Sequence, residues 1–332
     1  MKRSYRLSLL SLLLLATAAS ADTGASPSTL NPNVLGTRSI VACDPVSRAC
    51  GVAVVSFPVT SSTVPHGQPG VAVASQMLPS VDEAQAIIDR VATGQTPQQA
   101  LTAVLAADPA QPMRQMGVVS LDTGGTVRVA QFTGPGSWTE RCSVAGATYA
   151  IQAAGQTSAA VCQAMAQGFE HASGSFALRL LAALKAGACV GQDVRGERSA
   201  TLRVWSANSP LSTVTPLIAD ASVSGKPHPL EDLEAELYRY LGQVAAPEAT
   251  NVVTLDDSTA KALKRSLKDL GYYRGSMDGR WNADADAGLT ALQTNNVLFP
   301  RSVTVVNGVR KIDSALVQFV LGAERGTLVP AE

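Results

Sequence analysis

Gly36-Thr37 is the dipeptide of this chain best suited to chemistry: a small, flexible residue followed by a hydroxyl, set just ahead of the apolar run Ser39-Ile40-Val41-Ala42-Cys43. A threonine at a free N-terminus carries nucleophile and base together. Its own α-amine, with an unperturbed pKa of about 7.7 to 8.0, is partly neutral near neutral pH and accepts the hydroxyl proton. No histidine is then needed. The same dipeptide also fits a turn glycine followed by a β-forming residue, and residue type alone does not separate the two readings. Catalysis further requires that the amine be freed. Attack of the Thr37 hydroxyl on the Gly36 carbonyl, a self-cleavage, is the route that would free it.

Other residues could support such a nucleophile. Asp193 and Arg195 lie in a loop flanked by Gly191 and Gly196, and are candidates to orient a substrate or position Thr37; a plain loop salt bridge is the competing reading. Asp44 could hold the amine, but the Asp44-Pro45 pair fits a turn better. Ser39, Gln76 and Gln152 are candidate substrate-binding residues, against the ordinary reading in which Gln76, Gln115 and Gln152 are satisfied strand-edge amides. His66, His171 and His228 have no ligand spacing, so neither a metal nor another cofactor is expected. Lys185 and Lys226 are the only lysines between positions 37 and 242, which disfavours a lysine-activated threonine. Cys43 and Cys50 flank a turn between two apolar runs and fit a cross-strand disulfide. The five cysteines leave at least one thiol unpaired.

The elements that must position these residues follow from spacing. Met1-Lys2-Arg3, the apolar stretch Leu7 to Ala16 and the small residues Ala19-Ser20-Ala21 read as a signal peptide (1–21), which predicts an exported protein. Residues 22–36 read as a leader rich in Ser, Pro and Asn. Strands are expected at 39–43, 50–57 and 71–76, a helix pair from Val81 and from Thr96-Pro97, strands at 115–121, 126–132 and 149–152, a second helix pair at 158–171 and 175–186, then strands at 200–205 and near 214–219 and a helix at 230–241. Helices in pairs between runs of strands favour two stacked sheets, each with helices outside: an α+β, four-layer αββα sandwich over 37–242. Lys plus Arg balances Asp plus Glu at 26 each, without long charged runs, so neither nucleic acid nor a membrane surface is an expected partner.

Several stretches together resemble a known family. Thr37 to Pro45, Gly51 to Ser56, Val64-Pro65, Gly70 to Gln76, Ala107-Asp108-Pro109, Arg114 to Val119, Phe132-Thr133-Gly134, Tyr149 to Gln152 and Gly191 to Ala200 are similar to the family called domain of unknown function 1028, placed among the N-terminal-nucleophile (Ntn) hydrolases. The resemblance covers roughly 37–242 and implies the αββα fold with Thr37 as nucleophile. It implies no substrate. Four features depart from the family pattern: a leader precedes Thr37, Arg38 stands where an aromatic is usual, Gly191-Gln192-Asp193-Val194-Arg195-Gly196 carries one insertion or shift against Gly-Asp-x-Arg-Gly, and Gln152-Ala153-Ala154 replaces Gln-Gly-Asn, removing a polar side chain that could bind substrate or stabilise an oxyanion. A catalytically inactive member therefore stays an open reading.

Residues 243–254 read as a linker and 255–325 as a small three-helix domain, with helices near 256–269, 283–295 and 312–321. The run Leu270-Gly271-Tyr272-Tyr273-Arg274-Gly275-Ser276-Met277-Asp278-Gly279-Arg280-Trp281 resembles the peptidoglycan-binding domains of cell-wall enzymes. That resemblance makes peptidoglycan or a wall-derived peptide the expected partner, with Tyr272, Tyr273, Arg274 and Trp281 stacking on sugars or pairing with carboxylates. Core packing of Tyr272 and Trp281 is the alternative. A homo-oligomer is left open by the sequence.

Overall fold

Two apolar runs joined by Asp44-Pro45-Val46-Ser47-Arg48 fold back as the hairpin β1 (Thr37–Asp44) and β2 (Ala49–Ser56). The Asp44 carboxylate shapes its turn by accepting from Ser47 N at 3.1 Å and Ser47 Oγ at 2.6 Å. The hairpin register pairs Cys43 with Cys50 and, at the far end, Thr37 with Ser56. In this computed structural model, residues 36–138, 140–245, 247, 251–322 and 328–331 are described. The signal peptide and most of the leader, 1–35, lie outside the described residues.

β1 and β2 form the centre of a six-stranded antiparallel sheet, order β10-β9-β2-β1-β8-β7, with β7 (Arg141–Ala145), β8 (Tyr149–Ala154), β9 (Ser199–Ser206) and β10 (Leu217–Ser224). A second antiparallel sheet has the order β3-β4-β5-β6, from β3 (Pro65–Gln68), β4 (Val71–Gln76), β5 (Gln115–Leu121) and β6 (Val127–Thr133). Helices α1 (Val81–Ala92) and α2 (Pro97–Leu105) follow β4; α2 starts in a capping box made by Thr96 and Gln99 with Pro97 in its first turn. Helices α3 (Val161–His171), α4 (Phe176–Ala188) and α5 (Pro229–Gln243) follow β8 and β10.

Period-two alternation along β1 sends its side chains to two cores. Ile40 and Ala42 join Leu180, Leu184, Met165 and Leu237 of α3–α5. Val41 and Cys43 instead meet Ala72, Ala74 and Val119 of the other sheet. Residues of α1 and α2, among them Ile87, Ile88 and Leu101, pack on Val71, Val73, Met116 and Val118 of β4 and β5. The molecule is thus a mixed α/β protein with several sheets and helices.

The C-terminal part contains α6 (Asp257–Asp269), α7 (Ala283–Asn295) and α8 (Ser314–Leu321) near their expected places. It is not purely helical. A small sheet, β11-β13-β12, adds β11 (Val252–Thr254), β12 (Thr304–Val306) and β13 (Val309–Asp313), so three residues read as linker are strand. Arg301 ties this part to α5: its guanidinium donates to Gly242 O at 2.9 Å and Ala245 O at 2.8 Å, and its Nε lies 3.0 Å from Asp313 Oδ1.

Disulfides join Cys43 to Cys50 and Cys142 to Cys162, leaving Cys189 free and exposed. No helix among the described residues is long and apolar enough to cross a membrane.

Candidate functional site

Thr37 begins β1 and is clamped between Ser56 of β2 and Ala154 of β8 by the sheet register. Its hydroxyl lies 2.7 Å from Ser56 Oγ, and Ser56 Oγ in turn donates to the Gly36 carbonyl at 2.9 Å. Thr37 is only 2 % exposed. Beside it is a cavity of about 10 Å³, room for one water molecule at most, lined by Ser56, Ser61, Thr63, Gln76 and Met77.

Below Thr37 runs a buried chain of amides. Gln76 Nε2 donates to Thr37 O at 3.3 Å and to Gln115 Oε1 at 2.7 Å; Ser39 Oγ donates to Gln76 Oε1 at 2.6 Å; Gln152 Nε2 donates to Ser39 Oγ at 2.9 Å. Ser39, Gln76 and Gln152, the candidate substrate contacts, are essentially unexposed between the two sheets, where their hydrogen bonds brace β1. Gly117 makes room for them, since a Cβ there would stand 2.5 Å from Gln152 Oε1. That oxygen has no hydrogen-bond partner.

Asp193 and Arg195 do arrive at Thr37's doorstep. The strand pairing of β8 continues past its end: Val194 N donates to Gly155 O and Thr157 N to Gln192 O, each at 2.9 Å. This folds the 192–196 loop against Gly36. Arg195 bonds the Asp193 carboxylate twice, Nε to Oδ1 at 3.0 Å and a terminal nitrogen to Oδ2 at 2.9 Å, and its guanidinium is sandwiched by the rings of Phe57 and Trp138 at 4.4 and 4.8 Å. A Cβ on Gly36 would stand 2.1 Å from Asp193 Oδ2. Asp44, by contrast, sits at the opposite end of β1 in its turn.

Two features escaped sequence reasoning. Arg38 points to the other side of the sheet, is fully buried, and pairs with Glu197, one contact being 3.2 Å. Burial pushes its guanidinium below the ordinary value, and the Glu197 carboxylate opposes that push. The second is the turn after β4: Met77 and Leu78 both adopt left-handed φ, 56° and 65°, a conformation that costs non-glycine residues free energy. Arg114 anchors this turn through the Leu78 carbonyl while its Nε donates to Asp108 Oδ2 at 2.7 Å.

In the C-terminal part, Tyr273 and Trp281 of the expected sugar-stacking set are 2 % and 6 % exposed and belong to a core with Leu263, Leu267 and Leu289. Tyr272 is half-buried and donates to Val329 O at 2.7 Å, while Arg274 is exposed. The buried Lys264 ammonium holds the intervening loop, reaching Asp278 Oδ1 at 2.8 Å and Ser276 O at 3.3 Å. Among the described residues no three His, Cys, Asp or Glu side chains come together as a metal site.

No curated protein matches the chain. A crystal structure of a Silicibacter pomeroyi protein assigned to DUF1028 is similar, with 25 % identity, a TM-score of 0.54, and coverage of 62 % of this chain and 89 % of that one. The model of the family of unknown function DUF1028 matches residues 37–233, the segment that supplies every element around Thr37. The chain belongs to the DUF1028 family.

Proposed function

We propose that this protein is an exported amide-bond hydrolase of the Ntn type, with Thr37 as nucleophile and its freed α-amine as general base. The layering that suits it is an αββα sandwich, supported by the apolar clusters on both faces of the two sheets. One observation carries the reading: the Thr37 hydroxyl, the Ser56 hydroxyl and the Gly36 carbonyl form one short hydrogen-bonded chain at the head of β1. Release of Gly36 would expose the amine and open the buried site at once. In the catalytic cycle the neutral amine takes the hydroxyl proton as Oγ attacks a substrate carbonyl, then returns it to the leaving amine. The Asp193–Arg195 pair borders the space that Gly36 leaves and would orient the acyl group entering it.

N-terminal sequencing of exported material tests this directly. A start at Thr37, lost in Thr37→Ala together with any amidase activity, is the expected result; a mature chain that keeps Gly36 defeats it.

A non-catalytic, wall-associated binding module is the second reading. It is favoured by Ala154, which faces Thr37 across the β1–β8 pairing and offers no side-chain donor where the family resemblance leads one to expect an asparagine. In either case the C-terminal part is proposed to contact peptidoglycan or a wall-derived peptide through Arg274, which could pair with stem carboxylates. Retention of the full chain on insoluble peptidoglycan should fall in Arg274→Ala. Equal retention of both proteins would remove this role.

A further inference from the structure

We infer that Ser56 is the catalytic residue of the Gly36–Thr37 cleavage, acting as a neutral two-proton relay; this rests on the Thr37 reading above. The assignment comes from counting hydrogens. A carbonyl oxygen only accepts, so the contact between Ser56 Oγ and Gly36 O at 2.9 Å uses the single hydroxyl proton of Ser56. In the 2.7 Å contact between Thr37 and Ser56, the donor must then be Thr37. The Thr37 proton therefore points at Ser56, the Ser56 proton points at the oxygen of the scissile bond, and the Thr37 lone pairs are left for attack.

The step closes without an external base. Thr37 Oγ bonds to the Gly36 carbonyl carbon while its proton passes to Ser56 Oγ and the Ser56 proton passes to the Gly36 oxygen. The product is a neutral, five-membered hydroxy-oxazolidine. Its collapse breaks the bond between Gly36 C and Thr37 N, the new hydroxyl proton moving to nitrogen, and leaves Gly36 as an ester on Thr37 Oγ beside a free α-amine. Water hydrolyses that ester to the Gly36 carboxylate and restores the Thr37 hydroxyl. Avoiding charge separation matters here, because Thr37 and Ser56 are 2 % and 3 % exposed and an alkoxide or oxyanion would have to form without bulk water. The surroundings hold the reacting atoms still: Gln76 fixes the Thr37 carbonyl, and Asp193 with Gly155 encloses the Gly36 α-carbon.

Cell-free synthesis of the full chain, followed by intact mass with and without hydroxylamine to trap the ester, measures the step. The unaltered chain should lose everything before Thr37, and Ser56→Ala should do so about 100-fold more slowly, the cost of removing one positioned proton-transfer group. Ser56→Thr keeps the hydroxyl that carries the relay; it should stay within about tenfold of the unaltered chain. The rate of ester formation in the unaltered chain, the relay step itself, should be flat from about pH 5 to 9, since no group ionises in it. Cleavage of Ser56→Ala at the unaltered rate, or a sigmoid pH profile, overturns the relay and leaves Thr37 as nucleophile. Loss in Ser56→Thr as complete as in a folded Ser56→Ala, judged by circular dichroism, overturns it also. An unaltered chain that never cleaves sinks the Thr37 reading itself.

Discussion

Gly36 is held where no side chain fits, and this gives the site a sharp test. In Gly36→Ala the new methyl would collide with the Asp193 carboxylate, itself locked to Arg195, so either β1 or the 192–196 loop must shift. The expected outcome is cleavage slowed by at least about tenfold, with a stability loss of about 1–3 kcal/mol read from urea unfolding. A second residue-scale prediction concerns pH. The hydrogen bond from Arg114 holds the Asp108 carboxyl below its ordinary value, outweighing the burial that would raise it. A depressed carboxyl stabilises the fold above its unfolded pKa and loses that contribution as pH falls through the lower folded value. Urea midpoints should therefore drop below about pH 4, and Asp108→Asn should flatten that acid limb at the expense of stability near neutrality. Ser56 was within reach of the sequence. Cys43 and Cys50 define the hairpin register, and Thr37 lies six residues before the one as Ser56 lies six after the other, so pairing the cysteines already sets the two hydroxyls face to face. The roles of Gln76 and Gln152 were not within reach, because their burial depends on which sheet covers them.

At the scale of elements, strands with unbroken apolar runs and helices with clear apolar spacing were legible: β1, β2, β4, β5 and both helix pairs sit close to their expected places. What was missed has weak patterning. β7 alternates exposed and half-buried residues at the edge of its sheet, and β12 is exposed along its whole length. Arg38 is the instructive case: alternation from Thr37 puts it on the helix-covered face, but only the fold brings Glu197, 159 residues on, to neutralise it. The turn at Met77-Leu78 borders the cavity beside Thr37, and its conformation rests on Arg114. Arg114→Ala leaves the mostly buried Asp108 carboxylate unpaired and the Leu78 carbonyl free. A loss of about 3–5 kcal/mol is expected by thermal unfolding, and Arg114→Lys, which lacks the planar fork, should recover only part of it.

For the whole molecule, the sequence suggests two parts joined by a linker, and Arg301 bonds the C-terminal part to the end of α5. Its nitrogens reach carbonyls of Gly242, Ala245 and Phe299, and the end of β13 contributes Asp313 and α8 contributes Ala315 to the shared contacts. Arg301→Ala removes these bonds and strands Asp313, for an expected loss of about 3–5 kcal/mol. Calorimetry should then resolve two transitions where the unaltered protein shows one. The same clamp bears on mechanics. Tension applied to the C-terminal helices would pass through the Arg301 bonds and α5 into β9 and β10, the flank of the sheet whose middle strand begins with Thr37. A molecule anchored by that end would feel a pull on its anchor as strain in the sheet, and the Arg301 bonds would be its shear pin.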